Sequence, residues 1–148
     1  MGDMTPLRVT LDTNVLVAGL RSRNGASFRV LSRWLRGAFV ACASVPLWLE
    51  YEATLKREDV AAVHGLSGDE VDVLLDAWAV NVDPVELRFT WRPQLRDPKD
   101  EMVLETALNG RADALVTFNR DDFEKAAHRF GLPLWRPQDL LARLEGDS

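Results

Sequence analysis

Asp12, Glu50, Asp97, Asp100, Asn119 and Asp121 are the side chains whose types and positions suggest chemistry. Asp12 ends an alternating run, Leu7-Arg8-Val9-Thr10-Leu11, that reads as a β-strand. Ligands of open parallel sheets bind beyond the carboxyl ends of the strands, so an Asp placed there projects into a crevice rather than the core. Glu50 falls in a helical stretch after a second apolar run. Asp97 and Asp100 open the helix that precedes Ala112–Thr117, and Asn119 and Asp121 come just beyond that run. Clustered carboxylates repel one another and lose hydration, so proteins rarely gather them without a cation. Oxygen-only ligands suit magnesium or manganese. Such an ion can orient a water, lower its pKa and offset charge on a phosphodiester.

Each residue also has a plainer role. Asp12 suits a turn, bonding its own backbone. Glu50 suits a solvated helix face, as does its neighbour Glu52. Asp97 suits an N-cap, with Pro98 at the first helical position and Asp100 at the third, where an acid favours the helix dipole. Asp121 or Asp122 suits the cap of the following helix. Other chemistries find less support. His64, His128 and Cys42 lack zinc spacing. No Gly-rich phosphate loop accompanies a Lys, and no local motif pairs a Ser with a His and an acid. Tyr51 and the Trp residues read as core or groove side chains.

The elements that must position these residues alternate along the chain. A polar turn spans 21–25, and Phe28, Leu31, Trp34 and Leu35 then recur at helical spacing, with Gly37 as a C-cap. Ala38–Ala43 reads as a second buried strand. Ser44 caps a helix that carries Glu50, a short helical piece covers Arg57–His64, and Ser67 with Glu70 has capping-box spacing before a helix through Trp78. Asp83-Pro84 reads as a break, Val85–Phe89 as a short strand and Trp91–Arg96 as a loop. Asp97 opens a helix to Asn109-Gly110. Ala112–Thr117 is a strand, Phe118–Asp122 its exit loop, Phe123–Phe130 a helix, Leu132–Trp135 a last strand and Gln138–Leu144 a terminal helix. The alternation predicts an α/β fold with a mostly parallel sheet.

At 148 residues and 47% hydrophobic composition, one domain spanning 1–148 is expected, and disorder is not. The formal charge of -5 means that nucleic acid would need a local basic patch and a metal to offset the protein's field. Cys42 is the lone cysteine and cannot form an internal disulfide. The opening residues lack the basic region and apolar core of a signal peptide, and no apolar run reaches the ~20 residues of a membrane span. A cytoplasmic protein with no membrane role is expected. Met1–Pro6 reads as a frayed lead-in.

Four segments, Leu11-Asp12-Thr13-Asn14-Val15, Ser44 through Glu50-Tyr51, Arg96-Asp97-Pro98-Lys99-Asp100 and Ala112-Asp113-Ala114-Leu115-Val116-Thr117, together resemble PIN-domain proteins over nearly the whole chain. The nearest branch is that of toxin components of bacterial toxin–antitoxin pairs. The resemblance implies a Rossmann-like three-layer fold and an Mg2+- or Mn2+-dependent ribonuclease. It places the family's first acid on Asp12, its helix glutamate on Glu50 and its third acid on Asp100, with Asp97 as the preceding acid of that motif. The fourth acid position carries Asn119, which weakens the case for a second ion, and Asp121 is expected to supply the missing charge. The implied partners are single-stranded or structured RNA, a protein antitoxin and a second copy in a homodimer. Arg21, Arg23, Arg92, Arg96, Lys99 and Arg120 can rim the site, and Arg96 and Arg120 are the expected RNA contacts. The alternatives are a catalytically degenerate PIN domain that binds RNA or protein, and a phosphatase with an Asp nucleophile. The latter chemistry wants a second acid two residues on, where this chain has Asn14.

Overall fold

The computed structural model describes residues 6–89 and 94–146. The expected lead-in before Pro6, and Trp91 and Arg92 in the loop before Asp97, lie outside them. The element order is β1 (Arg8–Leu11), α1 (Thr13–Arg21), α2 (Ala26–Leu35), β2 (Val40–Ala43), α3 (Val45–Lys56), α4 (Glu58–His64), α5 (Gly68–Ala79) and β3 (Val82–Pro84). Then follow α6 (Pro98–Asn109), β4 (Ala114–Val116), α7 (Arg120–Phe130), β5 (Leu134–Trp135) and α8 (Pro137–Gly146).

Among the described residues the five strands form one all-parallel sheet in the order β3-β2-β1-β4-β5. The chain runs from β1 outward to β2 and β3, then returns to the other side of β1 for β4 and β5. The strand order therefore reverses between β1 and β4, where open α/β sheets leave a crevice for ligands. Val9, Leu11, Ala114, Leu115 and Val116 are buried, as expected of central strands covered on both faces.

Helix α6 packs on β1, β2, β4 and α7, while α1, α2, α3 and α5 pack on one another. The second group is cemented by aromatic rings. Trp34 stacks on Trp78 with centroids 5.0 Å apart and meets Trp48 edge-on at 6.2 Å. Both buried indoles keep a partner: Trp34 Nε1 donates to the Asn81 carbonyl at 3.0 Å and Trp78 Nε1 to the Leu31 carbonyl at 3.3 Å. Gly19 permits the close approach of α1 to α2, since an added Cβ would collide with the Leu31 side chain. No helix among the described residues is long and apolar enough to cross a membrane.

Three local expectations are corrected. The third strand is Val82–Pro84, across the expected break, and Val85–Phe89 has no regular structure. Pro84 sits at the end of this edge strand, where its missing N–H does not interrupt the ladder, and the Val85 N–H bonds the Ala43 carbonyl at 2.9 Å. Residues 13–21 form a helix, α1, that the sequence does not announce, and Arg21 of the expected polar turn is its last residue. Helix α7 begins at Arg120, three residues before the expected start, so the exit loop shrinks to Thr117–Asn119.

Candidate active site

Asp12 stands between the end of β1 and the start of α1, in extended backbone at φ -67° and ψ 146°. Its N–H donates to the Val116 carbonyl at 2.9 Å, which ties it into the central ladder. Its carboxylate accepts the Thr117 hydroxyl at 2.7 Å and is 6% exposed. Thr117 Oγ1 also accepts the Asn119 N–H at 2.9 Å, so one threonine joins the ends of β1 and β4 to the loop beyond. Behind Asp12, the buried Tyr51 hydroxyl donates to the Leu11 carbonyl. That bond fixes α3 against β1 and sets the face on which its neighbour Glu50 emerges.

Glu50 and Thr54 are one helical turn apart, and the Thr54 hydroxyl donates to Glu50 Oε1 at 2.9 Å. Lys99, from α6, brings its ammonium to 3.5 Å from the same oxygen. Asp97 caps α6, accepting the Lys99 N–H at 2.9 Å, as its plainer reading proposed. Glu101 is buried in the same turn and accepts the N–H groups of Gln94 and Leu95, which holds the entry to α6 in place.

The end of β1 and the facing sides of α1, α3 and α6 line one cleft of about 490 Å³. It brings together Asp12, Glu50, Asp97, Asp100 and Asn119, with Arg21, Arg57 and Lys99 on its basic side. Burial pushes the Asp12 carboxyl above the usual carboxylate range, aided by the charge of Asp122 and opposed by the Thr117 hydrogen bond. Burial also pushes Asp100 up to about 6, with Asp12, Asp97 and Asp122 adding repulsion. Like charges held together in a cleft favour either a proton or a cation.

Asp121 is placed differently from the expectation. It lies in the first turn of α7, not in a loop folded back over the cleft, because the helix starts at Arg120. There its charge favours the helix dipole. It lines an outer groove, of about 470 Å³, together with Asp97, Asp100 and Arg96. The carboxylate whose charge reaches Asp12 and Asp100 is the next one, Asp122. Neither caps α7 by a side-chain bond, since its N-cap is Asn119. Arg96 and Arg120 do not line the cleft itself; Arg120 faces a hollow shared with Asn119, Asp121 and Arg136. Arg57 and Thr54 were missed by the sequence reading. Thr54, four residues after Glu50, shares its helical face, a signal that was available, and Arg57 follows at the C-cap of α3.

A bound divalent ion can be tested against this donor set. Among the described residues, no three acidic, histidine or cysteine side chains converge closely enough to grip one ion together. The chemistry nevertheless fits: the donors are oxygens, the acids repel one another, and Asn14 Oδ1 is buried beside them without a hydrogen-bond partner. Glu50 is the acid whose carboxylate already has partners from the chain, the Thr54 hydroxyl and the Lys99 ammonium.

The sequence profile of a family described as PIN domain matches residues 8–121, well over half of the chain. A search of curated proteins finds no match. The matched span runs from β1 through Asp121 and so takes in every strand-end and helix residue of the cleft. With an all-parallel sheet, a switch point between β1 and β4 and a cleft of acids at that point, this chain belongs to the PIN-domain family, a nuclease-type fold.

Proposed function

We propose that this protein is a metal-dependent ribonuclease that works at the Asp12 cleft, and that it is the toxin of a toxin–antitoxin pair. The observation that carries the first part is the meeting of Asp12, Glu50, Asp97 and Asp100 in one cleft at the carboxyl ends of the central strands. Asp12, Asp100 and Glu50 would hold Mg2+ or Mn2+, with Asp97, Asn119 and Asp122 close by and Asp121 acting from the outer groove. The ion would supply a more acidic water and positive charge against the phosphodiester. The remaining work falls to the chain. Arg21, Arg57 and Lys99 hold the phosphates, Arg96 and Arg120 extend that reach, and the amides of Asn14 and Asn119 orient water by hydrogen bonds. Phe118, 47% exposed at the cleft wall, offers a ring on which an unstacked base can rest. Single-stranded or loop RNA suits such a site, because its backbone and bases are accessible.

The toxin role rests on the sequence resemblance to that branch. It brings with it a protein antitoxin over the cleft, a homodimer, a cytoplasmic setting and one domain over 1–148. The deciding experiment is incubation of an RNA oligonucleotide with purified protein, with Mn2+ or with EDTA, for the parent and Asp12→Asn. Cleavage is expected only for the parent with Mn2+. RNA that is bound but never cut, with any divalent ion, would make this a binding module. Growth arrest on induced expression, absent for Asp12→Asn, tests the toxin role.

A further inference from the structure

Lys99 occupies a position that helix energetics disfavour. It is the second residue of α6, where the positive end of the helix dipole repels a cation. Its side chain is 62% exposed yet reaches across the cleft to Glu50, whose side chain is only 20% exposed. Glu50 Oε1 thus has one hydrogen-bond donor, the Thr54 hydroxyl at 2.9 Å, and one ion-pair partner, the Lys99 ammonium at 3.5 Å. Asp12, Asp97 and Asp100 are the other acids of the cleft, and among the described residues none of them has a cation within ion-pair distance. Of the three cations that line this cleft, Lys99 is the one ion-paired to one of its acids, and that acid is Glu50.

We propose that Lys99 is an internal counter-ion that competes with a divalent ion for Glu50 and, once displaced, binds a phosphate of the RNA. The proposal rests on the ion-binding reading given above. Two cations cannot both neutralise one carboxylate at full strength, so binding of the ion weakens the Lys99–Glu50 pair. The ammonium, on a flexible four-carbon stem already lining the cleft, then has a phosphate as its next available anion. Ion binding and RNA binding become coupled through one side chain, and the coupling is the same in both directions.

The test uses the full chain and Lys99→Met, which keeps the stem and removes the charge. Circular dichroism melting confirms that both are folded, as expected for a largely exposed side chain. Calorimetry with Mn2+ should show Lys99→Met binding the ion about 2- to 5-fold tighter, the range of a mostly exposed ion pair. Fluorescence anisotropy with a single-stranded RNA oligonucleotide follows, with and without saturating Ca2+. The variant should lose RNA affinity mainly in the presence of Ca2+. Equal Mn2+ affinity in the two proteins overturns the competition. An equal loss of RNA affinity with and without Ca2+ overturns the hand-over and leaves Lys99 an ordinary rim charge. Absence of Mn2+ binding by both proteins overturns the ion-binding reading itself, and the proposal with it.

Discussion

Charged residues gather in two places on this sheet, and they are arranged in opposite ways. Around Arg8, at the start of β1, unlike charges meet. The guanidinium bonds Asp83 at 2.6 Å and the Arg111 carbonyl at 3.2 Å, while the Arg8 N–H bonds Asp113 at 2.9 Å. Around Asp12, at the other end of the same strand, like charges meet, and two carboxyls are pushed toward their neutral forms. The first cluster is satisfied within the chain. The second is satisfied only by something added to it, a proton or a cation. One four-residue strand, Arg8–Leu11, thus separates charge that serves the fold from charge that works against it.

Substitutions should divide along the same line. The largest effect is expected at Asp12. Asp12→Asn should lower RNA cleavage by more than about 100-fold, since even residues supporting a metal ligand cost 10- to 100-fold. It should also raise the melting temperature, because a buried charge with a raised pKa costs stability at neutral pH. A lower melting temperature would place Asp12 with the Arg8 cluster instead.

Next in size are the rim cations. Replacing Arg21 and Arg57 by Ala should flatten the salt dependence of RNA binding by a slope of about 0.7 per lost phosphate contact. Replacing Arg96 and Arg120 should do less, because neither lines the cleft. The reverse ranking would move the RNA path to the outer groove. A smaller, few-fold loss of Mn2+ affinity is expected for Asp122→Asn and less for Asp121→Asn, while Asn119→Asp should tighten the ion. Calorimetry ranks the three.

Two stability effects close the series. Asp100 is pushed up to about 6 from 3.8, so above 6 its ionised form is penalised in the folded state. The folded chain holds that proton more tightly than the unfolded chain, so this contribution to stability is lost as pH rises through the window. Asp100→Asn should be more stable than the parent to urea at neutral pH, with the gap closing as pH falls toward 3.8. Asp83→Asn, in the satisfied cluster, should cost no more than about 1 kcal/mol, since the pair is partly exposed, and should leave RNA cleavage intact.

Much of this arrangement could be read from the sequence where local signals agree with the fold. The strand before Asp12, the Ser44 cap, the Ser67–Glu70 capping box and the Asp97-Pro98 helix start all state their structure locally, and all are present. The fold family was legible for the same reason. What was hidden depended on neighbours distant in sequence. Helix α1 was obscured by the polar Thr13-Asn14 entry and by Gly19, whose purpose appears only when Leu31 is beside it. The roles of Asp121 and Asp122 turned on where α7 begins, and a shift of one helical residue changes the face by ~100°. No local pattern distinguished two adjacent acids. Nor did any local signal show that Lys99 reaches Glu50, since helix-to-helix distance across a cleft is a property of the sheet beneath.

The hydrogen bond from the Asp12 N–H to the Val116 carbonyl has a consequence for heating and for amide exchange. It places Asp12 in the last part of the molecule to open, the central ladder, where exchange reports global unfolding. Glu50 and Asp100 ride on helices, and the exposed Pro98–Lys99 start of α6, ahead of the buried Glu101, can fray while the sheet stays intact. The cleft should therefore come apart unevenly as temperature rises. The Lys99 amide should exchange well before the Asp12 amide, and ion affinity should fade in a range where the far-ultraviolet spectrum still reports a folded protein. Thermal inactivation would then precede thermal unfolding, and the interval between them would measure how independently α6 opens.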